Sequence, residues 1–481
     1  LDAAFLLLDA VAFLTSSGAL NGVADSFVTH EISRQIYSKV VTADLSAQRP
    51  QGWEAALSAI PSTGHSDSGH ALAAAVNPAS LASLSGSVLL QELSVVPQGE
   101  VAQFVRAHPA TVSKLLVNPP AARSVVSWWG SLSPTARTSL SVAAPELVGN
   151  LDGVPFTVRD EANRRFLAQS IASEKKSIAK GSGRAQLVES RHHLDILTQI
   201  SRTLRTTPHQ PERQLLTFDP SGEARAAVVV GNLATADYVS YLVPGMFFTV
   251  QGQMYDWTAI AADLQTEQST WLKTLAKADP SLAGKSAATV SWIGYSTPGV
   301  LDIASLSRAD QGAKFLGNAV HGVQATRTGS EPFVTLVTHS YGSTTAMIEL
   351  ADGGVKVDAL AMVGSPGGAA QSASALGVKN DNVYVGEAAW DPIVNTAFYG
   401  SDPGSSTFGA KKIDVAGGTD AITHKPLAAA VGHLGYFDAG SQAMRNLALI
   451  GLNQGPLVTD GTLADASRTL ADANLSQSDA K

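Results

Sequence analysis

Cysteine is absent from all 481 residues. That excludes disulfides, thiolate metal centres, iron–sulfur clusters and a thiol nucleophile. Charge is sparse: Asp, Glu, Lys and Arg supply 15% of the chain, while 44% is hydrophobic. Wholesale disorder needs the opposite balance. The net charge of −8 disfavours nucleic acid as a partner, because such binders are basic. Three signatures are also missing. There is no G-x-x-x-x-G-K-[ST], no G-x-G-x-x-G opening a helix after the first strand, and no H-E-x-x-H. The expectation is chemistry without a metal or an organic cofactor.

Two histidine groups come nearest to a metal site. His192 and His193 stand near Asp195, but neighbours on a helix point about 100° apart, so this reads as a solvated face. His65, Asp67 and His70 occupy a Gly/Ser-rich stretch and are the better of the two candidates. Residues 3–14 are apolar but contain Asp9, and Asp2 precedes them. That is too short and too charged for a membrane span, which needs about 20 apolar residues. The stretch also lacks the basic start of a signal peptide, and it reads as an amphipathic helix.

At about 100–200 residues per domain, the length leaves room for two or three. Residues 1–205 read as mainly helical. Apolar residues recur at helical spacing in Val101, Phe104, Val105 and again in Val112, Leu115, Leu116. Pro61, Gly64, Pro97, Pro109, Pro119 and Pro120 punctuate the run. Residues 206–211 look like a linker. From there to 455, strands are expected at 226–230, 239–243, 288–294, 333–338, 357–363 and 382–385. Helices are expected between them at 254–277, 308–323 and 341–351, with a closing one at 441–452. Such alternation argues for parallel βαβ units and an α/β fold. Residues 456–481 read as a polar tail.

The most informative stretch runs from Phe333 through Thr338-His339-Ser340-Tyr341-Gly342. An apolar strand enters a tight turn and leaves directly into a helix. That is the context of a nucleophile elbow, in which a serine hydroxyl is held at the edge of the sheet. The N–H of Tyr341 then faces the same way and offers one oxyanion donor. Thr338 stands where the pattern usually has glycine. A triad in this context follows the order serine, acid, histidine. Asp391, after the strand at 382–385, is the preferred acid over Glu387 and Asp402. His433, between Gly432 and Gly435 ahead of the closing helix, is the preferred base over His424. His339 is turned away from Ser340 by the elbow and is expected to pack beneath it. The loop Pro244-Gly245-Met246-Phe247-Phe248 should supply the second oxyanion donor from Met246 or Phe247, with Gly245 free to take unusual backbone angles. Met246, Phe247, Phe248 and Trp390 are candidates for lining an apolar substrate pocket.

These residues resemble a known family. Val243-Pro-Gly-Met246, Trp292-Ile-Gly-Tyr295, His339-Ser-Tyr-Gly342 and Gly432-His-x-x-Tyr-Phe-Asp-x-Gly-Ser441 are together similar to an actinobacterial α/β-hydrolase family long catalogued as a domain of unknown function. The resemblance runs from about Leu215 to Leu452. It implies an α/β-hydrolase fold and a serine-hydrolase triad at Ser340, Asp391 and His433. Upstream, Trp128-Trp-Gly-Ser-Leu-Ser-Pro134, the run from Pro145 to Pro155, and Arg159-Asp-Glu-Ala-Asn163 resemble the segment preceding that domain in many relatives. Some of those have helical N-terminal regions similar to type VII secretion substrates, which implies a secretion partner and a secreted or cell-surface location.

The resulting expectation is a serine esterase acting on a small-molecule carboxylic ester with an apolar or aromatic group. The N-terminal helical region would serve as a lid or brace. The alternative is a non-catalytic, exported or cell-envelope binding module on the same fold. Nothing in the sequence sets the oligomeric state.

Overall fold

The computed structural model describes residues 81–461, except 182, 209, 300 and 301. The sequence readings at 3–14 and at His65, Asp67 and His70 lie outside these residues, as does the stretch 456–481 from residue 462 onward.

Eight helices occupy residues 86–203: α1 (Gly86–Val95), α2 (Gln98–Ala107), α3 (Pro109–Val117), α4 (Ala122–Ser131), α5 (Pro134–Ala143), α6 (Pro145–Asn150), α7 (Phe156–Ala179) and α8 (Arg184–Thr203). Proline opens α3, α5 and α6, where its missing N–H has no helical partner to lose. Ser133 caps α5 by accepting from Ala136 N at 3.1 Å. Leu89, Leu93, Phe104, Trp128, Trp129, Leu140 and Leu147 gather into an apolar core within this region.

Eight strands then form one sheet: β1 (Arg213–Asp219), β2 (Arg225–Val230), β3 (Tyr238–Val243), β4 (Ala287–Ile293), β5 (Phe333–His339), β6 (Ala359–Val363), β7 (Val383–Gly386) and β8 (Lys411–Ile413). Their order is β1-β2-β4-β3-β5-β6-β7-β8. β2 runs antiparallel to both neighbours, and β3 through β8 are parallel. Helices α9 (Val250–Leu275) and α12 (Gln442–Gly451) pack into the apolar core on one face. Helices α10 (Ser307–Thr326) and α11 (Tyr341–Ala351) pack into the core on the other. Burial on both faces explains why the central strands read as continuous apolar runs. A two-strand ribbon, β9 (Gly418–Thr419) with β10 (Pro426–Leu427), follows β8.

β1 and β8, the two edge strands, are additions to the strands expected from sequence. β1 is an edge strand whose outer backbone groups are met by side chains of the helical region. Asn150 accepts from Phe218 N and donates to Phe218 O, both at 2.8 Å. Asp160 accepts from Leu215 N at 2.6 Å, and Asn163 donates to Leu215 O at 2.9 Å. These contacts cover an edge that would otherwise pair with another chain. Arg159 is buried beside them and pairs with Asp152 at 2.6 Å.

Candidate active site

β5 stays buried through His339 and α11 starts at Tyr341, so Ser340 alone makes the turn between them. Its backbone sits at φ 54° and ψ −132°. An L-residue held there stores strain, on the order of 1–3 kcal/mol. The surroundings enforce it. Ser340 N donates to Val363 O at 3.0 Å on β6. A side chain at Gly342 would stand 2.5 Å from Pro244 O, and one at Gly245 would stand 2.5 Å from Ser340 Cβ. Thr338 fits where glycine is usual because its hydroxyl donates to Ala361 O at 3.2 Å, inside the sheet.

β7 ends at Gly386 and the following loop carries Asp391. The connection from β8 to α12 carries His433. Gly432 N donates to Ala389 O at 3.0 Å, which fixes the two loops side by side. His433 Nδ1 lies 3.0 and 3.1 Å from the two Asp391 carboxylate oxygens. Ile393 N donates to Asp391 Oδ1 at 2.9 Å, and the Tyr436 hydroxyl donates to Oδ2 at 2.6 Å. Burial by itself would raise the Asp391 carboxyl. The His433 charge, its hydrogen bond, and the Tyr436 and Ile393 donors outweigh that and hold it below the usual carboxylate range. Asp391 is therefore an anion aimed at the Nδ1 side of the ring. Gly364 presses on both groups. A Cβ there would be 3.0 Å from Asp391 Oδ2 and from His433 Nδ1.

His339 packs beneath. Its ring centroid is 4.5 Å from that of His433, and its Nε2 is 2.7 Å from the His433 carbonyl oxygen. Only a protonated Nε2 makes that contact a hydrogen bond, so the ring donates there. Burial, reinforced by the His433 charge, lowers its pKa to about 3. His339 is thus neutral at physiological pH. The Ser340 hydroxyl is buried and has no hydrogen-bond partner among the described residues. Nucleophile–base hydrogen bonds are often long before substrate binds.

On the oxyanion side the two loop candidates differ. Phe247, at φ 64°, already donates its N–H to Pro298 O at 3.2 Å. That N–H is thereby engaged with a backbone acceptor. The Tyr341 N–H opens α11, where no intrahelical acceptor exists. The Pro244 carbonyl is anchored by the Tyr295 hydroxyl at 2.8 Å. The Tyr341 side chain points away into the core, between Ala309 N and Ser305 O, and burial pushes its phenol up to about 12.

The pocket candidates divide. Met246 clusters with Ile303 and Ile393, and Phe247 and Phe398 pack against them. Ile303, Ile393 and Phe398 were not singled out in the sequence. Phe248 instead is half-buried and packs edge-on to Trp257 at 4.8 Å, against the main core. Trp390 is 86% exposed, next in sequence to the buried Asp391. Of the competitors, Glu387 pairs with Lys412 at 3.6 Å. Asp402 closes a turn onto Gly404 N at 2.9 Å. His424 is exposed in the turn between β9 and β10. His193 faces Glu174 at 3.5 Å, and among the described residues no three His, Asp or Glu side chains converge as a metal site would require.

Residues 219–401 match the model of the alpha/beta hydrolase family. The fold is that of an alpha/beta hydrolase. The matched segment contains Ser340 and Asp391, while His433 lies beyond it. An uncharacterized protein of Mycobacterium tuberculosis is 28% identical over 392 residues, covering 71% of this chain and 57% of its own. The chain thus spans little more than half the length of that relative. An uncharacterized protein of Mycobacterium bovis is 29% identical over 245 residues, covering 49% of this chain and 86% of its own. Among solved structures, carboxyl esterase 2 of Tuber melanosporum aligns at 12% identity and TM-score 0.31, over 53% of this chain and 89% of its own. An esterase of Pyrobaculum calidifontis aligns at 12% and 0.32, over 56% and 94%. Those scores are too low to bear on substrate or mechanism. No helix of the described residues is long and apolar enough to cross a membrane.

Proposed function

We propose that the protein is a serine hydrolase that cleaves carboxylic esters with an apolar acyl or aryl group. The observation that carries this reading is Ser340 in its strained turn at the head of α11, on the same sheet edge as the Asp391–His433 pair. His433 takes the Ser340 proton at Nε2 while Asp391 holds Nδ1–H and stabilises the imidazolium. The Ser340 oxygen bonds to the ester carbonyl carbon, and the oxyanion accepts from the N–H groups of Met246 and Tyr341. The C–O bond to the alcohol then breaks, and His433 returns its proton to the departing alkoxide. Water repeats the sequence on the acyl-enzyme, releasing the acid and restoring Ser340. The cluster of Met246, Phe247, Ile303, Ile393 and Phe398 suits an apolar group on the scissile carbonyl.

The test is turnover of a p-nitrophenyl ester series, with labelling by a fluorophosphonate, in the parent and in Ser340→Ala. Labelling and turnover are expected in the parent and should vanish in the variant. Equal turnover in both would remove Ser340 from the mechanism.

A further inference from the structure

Large apolar side chains are nearly all inside the hydrolase domain. Beyond α8, only Trp390, Ile422, Val431 and Leu434 are exposed among the described residues. Three of the four flank the candidate catalytic groups in sequence. Trp390 precedes Asp391, while Val431 and Leu434 bracket Gly432-His433. The pairing of Ala389 with Val431 puts the two loops next to each other. The three side chains therefore share one lip beside the site, at 86%, 60% and 42% exposure.

Trp390 gains nothing for folding by this placement. It buries little apolar surface, and at φ 62° it occupies backbone space that costs a bulky residue strain. An indole held outward on a strained turn beside a buried acid suits contact with something other than this chain. Tryptophan favours apolar–water boundaries, where the ring meets hydrocarbon and the N–H stays wet. The lip side chains carry no charge, and the whole chain carries −8, so an anionic surface would be repelled.

We infer that Trp390, Val431 and Leu434 form a docking lip for the surface of uncharged, water-insoluble ester aggregates, which delivers substrate to Ser340. This rests on the esterase reading for its last step but not for docking itself. The inactive Ser340→Ala protein is therefore the probe for binding. It should float with a neutral triacylglycerol emulsion coated with phosphatidylcholine, and should not float with vesicles rich in an anionic phospholipid. Adding Trp390→Ser, Val431→Ser and Leu434→Ser should weaken flotation by at least about tenfold, given the apolar area removed. Val188→Ser, an exposed apolar site on α8, is the control and should float like the parent. In the active protein, the rate should jump as a short-chain triacylglycerol passes its solubility limit. The triple variant should lose that jump, with its fluorophosphonate labelling showing that the site is folded.

Absence of flotation, or equal flotation by the triple variant, would overturn the docking lip. So would a dimer in gel filtration that the triple variant dissociates, because a second copy would then own the surface. Flotation without any ester turnover would support the lip and sink the esterase reading instead.

Discussion

Tyr436 shows how one side chain conditions the candidate site. Its hydroxyl accepts from Ala388 N at 2.8 Å and donates to Asp391 at 2.6 Å, so it ties the acid loop to the base loop. A hydrogen bond to a charged group contributes about 1.5–3 kcal/mol. Tyr436→Phe should therefore lower ester turnover by about tenfold or more. It should also move the acid limb of the pH–rate profile to higher pH, because Asp391 loses a donor that favours its anion. A profile that keeps its acid limb while the rate falls would show that Tyr436 acts only on folding. Gly245 makes a steric prediction. A methyl group there would meet Ser340 Cβ at 2.5 Å. Gly245→Ala should displace the Met246 N–H and cost about a hundredfold or more in kcat, the usual loss for one oxyanion donor. Steady-state kinetics on a soluble ester checks it. Tyr436 appeared in the sequence only within a family-like motif, because a tyrosine buried for packing and one buried on an acid read alike.

At the scale of elements, the connections decide more than the strands. β5 and α11 were legible because an apolar run and a helical run meet at a turn of small residues around Ser340. β1 was not, because its polar partners come from α6 and α7, more than fifty residues upstream for Leu215. That dependence is testable. Asn150→Ala removes both partners of Phe218 at the sheet edge, and each orphaned group costs about 1–3 kcal/mol if it stays dry. The urea midpoint should fall accordingly, while turnover per folded molecule is retained. An unchanged midpoint would mean that water replaces Asn150 on that edge. The acid, Asp391, shows the reverse case. Its place after β7 could be counted from the βα pattern, but its loop was silent on the Ile393 and Tyr436 donors that make it an anion.

For the whole molecule, His339 links stability to pH. Its ordinary pKa is 6.5, and in the fold it lies at about 3 because burial disfavours the charged ring. Between these values the unfolded chain holds a proton that the folded chain does not, so stability rises with pH across that window. Read downwards, the fold loses stability from about pH 6.5 toward pH 3. His339→Gln keeps a neutral donor for the His433 carbonyl and removes the titration. Its melting temperature should fall less than that of the parent as pH drops through the window. Parallel curves would show that His339 takes no part in the acid response.

The sequence by itself determined the α/β class, the alternation of the parallel strands, the Ser340 turn and the candidate acid and base, because each is written in local patterning and chain order. Hydrophobic period, turn residues and spacing along βα units are properties of neighbouring residues. The tertiary structure alone decided that Phe247 spends its N–H on Pro298, that Phe248 packs against Trp257, that Trp390 faces outward, and that His339 holds the His433 carbonyl. Each of these depends on which distant backbone group or side chain arrives within hydrogen-bond or packing distance, and no pattern along the chain specifies that.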